Sequence, residues 1–146
     1  ERCEVRTWFN NPALDVGTAT RGGGDIEMFH RALAHGFVHL YQPAALIWHE
    51  HRPDFDGLQR QLADNGSGFA SYLLACHRNR TVPTGAIVRF ALRAWIWNWQ
   101  IGRLVRPGRH ARPFVLAEIR GMLAGPRRWR LSQSRAAELA SIGPGR

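Results

Sequence analysis

Gly22-Gly23-Gly24-Asp25-Ile26-Glu27-Met28-Phe29, followed by Gly36, Phe37-Val38-His39-Leu40-Tyr41, Gln42-Pro43 and Ala45-Leu46-Ile47-Trp48, is the stretch on which the fold turns. Three consecutive glycines permit backbone angles and close approaches that a Cβ obstructs, and the acid after them sits where loop passes into helix. Ile26, Phe29, Ala32 and Leu33 recur at spacings of three and four, and Gly36 offers a left-handed stop, which predicts a short amphipathic helix over 26–35. Residues 37–41 are β-rich, Gln42-Pro43 breaks them, and 45–48 resume an apolar run that ends at His49, which predicts two strands.

Several side chains in and after this stretch have both a chemical and a structural reading. Asp25 is either a helix cap or a catalytic group, since Asp is favoured at a helix start and the cap alone is worth ~1 kcal/mol. Glu27 reads as first-turn charge favoured by the helix dipole. His49 and His51 are two apart, which on a strand puts both imidazoles on one face and within reach of a single cation; a polar strand end is the alternative. Arg52 suits a diphosphate or an ion pair with Asp54 or Asp56. Tyr41 and Trp48 read as strand core. A hydrolase centred on His49, His51, Asp54 and Asp56 lacks the usual ligand spacings.

The order and spacing of Asp15-Val16-Gly17-Thr18, Gly22-Gly23-Gly24-Asp25-Ile26-Glu27-Met28-Phe29, Gly36 and Tyr41-Gln42-Pro43-Ala44-Ala45-Leu46-Ile47-Trp48-His49-Glu50-His51-Arg52 resemble the acceptor-side half of family 2 glycosyltransferases, over residues 8–76. The resemblance implies an α/β chain, the C-terminal part of a GT-A (nucleotide-diphospho-sugar transferase) fold. It implies an inverting sugar transfer from a nucleotide-sugar donor to a glycan, lipid or cell-envelope acceptor. Asp25 is then the base, Gly23, Gly24 and Arg52 contact substrate, and His49 and His51 contribute to a divalent metal site for Mn²⁺ or Mg²⁺. The donor-binding half with its Asp-x-Asp motif is expected as a separate, N-terminal part, so these residues are expected to be a C-terminal piece that is inactive alone.

The 146 residues are 45% hydrophobic, which suits a folded domain. All basic residues other than histidine are arginine, and they are unevenly placed: residues 1–77 carry a formal charge of −3 and 78–146 carry +12. We therefore divide the chain into the acceptor-side half, 1–77, and a basic amphipathic helical region, 78–146, for which an anionic partner is expected. Leu58, Leu62, Phe69, Leu73 and Cys76 predict a helix that bends or breaks at Asn65-Gly66-Ser67-Gly68, a notch that suits either a ligand or helix packing. Residues 86–105 predict a helix holding Trp95, Trp97 and Trp99, with Arg89, Arg93, Gln100 and Arg103 on one stripe at 100° per residue. Its arginines make a membrane crossing costly; an in-plane helix at an anionic membrane and a buried core helix are the two alternatives. Residues 114–123 predict a further helix ended by Gly125-Pro126. Cys3 and Cys76 are too few for a disulfide framework. The expected location is the cytoplasmic face of a membrane, or the cytoplasm. A non-enzymatic basic module binding anionic membrane is the alternative function, and with no nucleic-acid fold signature present, nucleic acid is the less favoured partner.

Overall fold

Asp54 accepts a hydrogen bond from the backbone N–H of Gly57 and so starts the helix on which the rest of the fold is laid, α2 (Phe55–Arg78). In the computed structural model, which describes residues 11–48, 54–106 and 112–142, it is joined by α1 (Gly24–Ala34), α3 (Thr84–Arg89), a π-helix (Phe90–Ile101), α4 (Gly102–Val105) and α5 (Arg112–Ile142). The α2–α5 pair is the most extensive contact among these elements. Its seam is built from small residues. A Cβ on Gly121 would overlap the backbone of Ala63, one on Gly66 would overlap the Glu118 carbonyl, and one on Gly125 would press on Ala70. The two backbones therefore approach more closely than large side chains allow. Ser71 donates to the carbonyls of Ser67 and Gly125, and Trp129 closes the end of the seam in a cluster with Ala13, Leu14 and Ala75.

Three expectations about the helices are corrected by this seam. The helix at 55–76 runs unbroken through residues 65–68, because Gly66 and Gly68 serve as surfaces for close approach. The helix from 114 does not end at Gly125-Pro126 but continues to Ile142 with Pro126 inside it. Gly121 and Gly125 on one side of the proline and Trp129 on the other are held against α2, and this packing outweighs the lost N–H and the ring's clash with the preceding turn. The third concerns residues 90–101, whose hydrogen bonds close a wider turn than that of an α-helix. Burial there repeats at five: Trp95 and Gln100 are buried, while Leu92 and Trp97 are exposed. The stripe drawn at 100° per residue is thereby broken, with Gln100 inside, Arg103 largely buried and Arg89 and Arg93 outside.

The α/β expectation, and with it the GT-A fold, is overturned. The described residues are all-α and contain no strand. Residues 37–48 have strand-like composition, but strands exist by pairing, and no second strand lies beside them among the described residues. The segment instead turns at Gln42, whose carbonyl and side-chain oxygen accept from Ala45 and Ala44. Tyr41 and Trp48, expected in a strand core, are 87% and 95% exposed.

Candidate functional site

The glycine run lies against the notch in α2. Gly23 takes a left-handed conformation (φ 95°) at the N-cap of α1, and a Cβ there would come within 2.5 Å of the Gly68 carbonyl oxygen. Gly68 in turn sits against Gly22, where a Cβ would lie 2.8 Å from the carbonyl carbon. Two glycine clusters more than forty residues apart thus interlock. Beside that joint opens a cleft of about 840 Å³, bounded by the 14–16 loop, the glycine run, α2, the π-helix and the first turns of α5.

Four carboxylates border the cleft, and the surrounding charges divide them into two pairs. Glu118 is buried and fully engaged: its two oxygens accept from Trp99 Nε1 at 3.1 Å and Arg103 at 2.6 Å, and the Arg103 guanidinium lies 4.7 Å from the centroid of Trp99. Asp64 faces Arg128 at 3.4 Å and, more loosely, Arg21 at 4.0 Å. Asp15 and Asp25 have no ion-pair partner among the described residues. Asp15 belongs to a loop knit by hydroxyls, in which Thr20 donates to the Ala13 carbonyl at 3.0 Å and Thr18 to the Asp15 carbonyl at 2.7 Å. Its own carboxylate accepts from the Val16 N–H at 2.7 Å.

Asp25 is in the first turn of α1, but the N-cap is Gly23 and no side-chain cap bond closes this helix. The cap reading of Asp25 is therefore not the one realised, and its exposed carboxylate lines the cleft with Gly22, Gly23 and Gly24. Glu27 turns elsewhere. It is buried and paired with Arg31 at 3.3 Å on the side of α1 that meets α2.

Aromatic rings form the remaining wall. Trp95 packs edge-on to Phe69 at 4.8 Å, Phe90 lies 6.2 Å from Phe69, and Trp99 is fixed by its bond to Glu118. Such a wall, with a few carboxylates opposite, suits a polyhydroxylated ligand: sugar rings offer C–H faces to aromatic rings and hydroxyl donors to carboxylates. Of the cations nearest the cleft, Arg103 and Arg128 are paired with Glu118 and Asp64, whereas the exposed Arg21 on its rim meets Asp64 only at 4.0 Å.

Comparisons with family models, with curated proteins and with solved structures return no match.

Of the residues singled out in the sequence, Gly23, Gly24 and Asp25 are brought together in the cleft, while His49, His51 and Arg52 lie outside the described residues. The four carboxylates do not converge as cation ligands, and among the described residues no group of three or more His, Cys, Asp or Glu does so. The expected metal ligands, His49 and His51, lie outside the described residues. Sequence reasoning missed Asp15, Asp64, Glu118, Phe69, Trp95 and Trp99 as site residues. The Asp15-Val16-Gly17-Thr18 motif, the second glycine cluster beside Asp64 and the Trp-rich run at 95–99 are the signals that touch some of them.

A second polar cluster holds α1 to α2. His30 Nδ1 lies 2.5 Å from the Tyr72 hydroxyl and 3.4 Å from Cys76 Sγ. Burial raises the proton affinity of the Tyr72 hydroxyl, and the neighbouring Cys76 and Glu27 add to the effect. Burial likewise raises that of the Cys76 thiol, partly offset by hydrogen bonds from Thr81 and Tyr72.

Proposed function

We propose that this chain is the acceptor-side portion of a glycosyl-transferring enzyme, in which the cleft holds a glycan or the sugar of a lipid-linked acceptor and Asp25 is the base. The observation that carries the reading is the position of Asp25: its carboxylate, unbound by a cap and unpaired among the described residues, lines the same cleft as Phe69, Trp95 and Trp99. The order of motifs in the sequence is the second support.

The acceptor sugar stacks on the Trp95–Trp99 wall, which excludes water from one of its faces, and Asp15 and Asp25 accept from its hydroxyls. Asp25 then takes the proton from one hydroxyl as that oxygen attacks the anomeric carbon of the donor, and the nucleotide departs with the bonding electrons, inverting the centre. The two paired carboxylates stay out of the chemistry. Glu118 fixes Trp99, and Asp64 neutralises Arg128. The nucleotide-sugar is assigned to a separate donor-binding part, because Arg21 is the one cation lining the described cleft and a diphosphate calls for more than one.

The test is Asp25→Asn in the enzyme containing this chain. The amide keeps the shape and loses the base, so turnover falls by roughly 10²–10⁴-fold while acceptor binding, followed by tryptophan fluorescence, is retained. Unchanged turnover in that variant removes Asp25 from the role and the proposal with it.

A further inference from the structure

The outer side of the π-helix combines exposed apolar side chains with arginines and no acid. Leu92 and Trp97, five residues apart and so stacked along a π-helix, are 59% and 65% exposed, and Val88, Phe90 and Val105 are exposed beside them in sequence. Arg89 and Arg93 are exposed within the same stretch, Arg106 is exposed at its end, and no acidic residue occurs anywhere in 84–106. The one other arginine there, Arg103, is neutralised by Glu118. Large apolar side chains interleaved with guanidinium groups that have no ion pair among the described residues give a face that water and an anionic surface satisfy together but neither satisfies alone. No helix among the described residues is long and apolar enough to cross a membrane, so contact through this face runs along a surface.

We propose that the α3–π-helix segment docks in the plane of a bilayer carrying anionic phospholipids, with Leu92 and Trp97 at the acyl boundary and Arg89, Arg93 and Arg106 on lipid phosphates. Tryptophan favours the headgroup level, where its ring has apolar contact and its N–H stays wet. Arginine forms paired hydrogen bonds to phosphate while its stem lies along the apolar boundary. Phe90 and Trp99 belong both to this helix and to the cleft, so docking keeps the cleft within about 10 Å, one helix diameter, of the headgroups. The face is independent of the chemistry in the cleft and stands or falls separately from it.

The experiment is flotation of the full chain with phosphatidylcholine vesicles, with and without phosphatidylglycerol, combined with quenching of tryptophan fluorescence by brominated lipid. Binding to the anionic vesicles that weakens with salt is expected. Replacing both Arg89 and Arg93 by Gln should weaken it by roughly thirty-fold, from the usual contribution of a basic residue near such a surface. Trp97→Phe should remove most of the quenching, with far-UV circular dichroism confirming an unchanged helix content. Equal binding to neutral vesicles, or none to anionic ones, overturns the proposal. So does quenching that survives in Trp97→Phe and vanishes in Trp48→Phe, since the contact would then lie on residues 37–48. Retention on RNA through Arg89 and Arg93 without vesicle binding assigns the charge to nucleic acid and overturns it as well.

Discussion

Glu118 does more in this fold than any other single acid. It is 9% exposed, it accepts from Trp99 and Arg103, and it thereby holds the ring that walls the cleft and neutralises a guanidinium that has little water around it. Cutting one partner from such a pair leaves a buried charge uncompensated, a penalty larger than the net worth of the pair. Glu118→Ala is therefore expected to destabilise the chain by about 3 kcal/mol, whereas Glu118→Gln, which keeps an acceptor for Trp99, should lose less. Thermal unfolding of the two variants decides the matter: equal melting points for both and the unaltered chain would mean that Arg103 finds its counter-charge elsewhere. Asp25 is the contrast at the same scale. With no cap bond to lose, its replacement should leave stability within about 0.5 kcal/mol of the original, so a loss of turnover cannot be mistaken for a loss of fold.

At the scale of elements the α2–α5 seam is decisive, and it reverses the ordinary rule for glycine in helices. On an open helix surface Gly→Ala is stabilising, by up to ~1 kcal/mol, because alanine restricts the unfolded chain and favours the helix. Gly85, in α3 with nothing near its missing Cβ, should follow that rule in sign. Gly121 should not. Its Cβ would overlap the Ala63 backbone, so the two helices must shift apart there, and Gly121→Ala is expected to cost about 1–3 kcal/mol. Opposite shifts in denaturation midpoint for the two variants are the expected outcome, and a stabilised Gly121→Ala would mean that the helices do not touch there. The seam also shows what the sequence conveyed and what it withheld. The helical period of Leu58, Leu62, Phe69, Leu73 and Cys76 correctly located α2, and the small residues at 65–68 marked a close approach without naming the partner. Pro126 misleads because a proline is a breaker locally, and the long-range contacts that override it are not legible in sequence. The Trp-rich helix is legible in sequence but its faces are not, since nothing local distinguishes a wide turn from an α-helical one. Residues 37–48 carried a genuine strand composition, but a strand cannot be realised without a neighbour. In the site, Gly23, Gly24 and Asp25 were legible because a glycine run before an acid is a local signal. The aromatic wall was not, because Phe69, Trp95 and Trp99 meet only through tertiary packing.

At the scale of the whole molecule, the core among the described residues is thin. Its buried apolar residues are mostly small, with Leu14, Trp95, Val115 and Trp129 the larger ones, while residues 38, 40, 41 and 46–48 spread large apolar groups over the surface. Stability therefore leans on a few polar joints, and the partly buried His30–Tyr72–Cys76 joint between α1 and α2 makes it dependent on pH in a definite direction. The Cys76 thiol and the Tyr72 hydroxyl ordinarily lose their protons near 9.0 and 10.0, and in the fold both hold them to higher pH, chiefly because burial penalises the thiolate and the phenolate. Above those values the unfolded chain has released protons that the folded chain still binds. By linkage, the stability the joint contributes is complete below about pH 9 and declines as pH rises beyond it. The charged cluster around the joint does not reverse the sign, since Glu27 is already paired with Arg31 and repels a further negative charge at either position. Denaturant unfolding at pH 8 and again above pH 10 should show a lower midpoint at the higher pH, and the double variant Tyr72→Phe, Cys76→Ala should flatten that difference. A slope that persists in the double variant would place the alkaline weakness elsewhere. A midpoint that rises with pH would mean that the two groups ionise more readily in the fold than outside it. Because α1 carries Asp25 at its first turn, the same pH range should loosen the cleft, so in the complete enzyme acceptor affinity is expected to fall with the midpoint in the unaltered chain and to be held in the double variant.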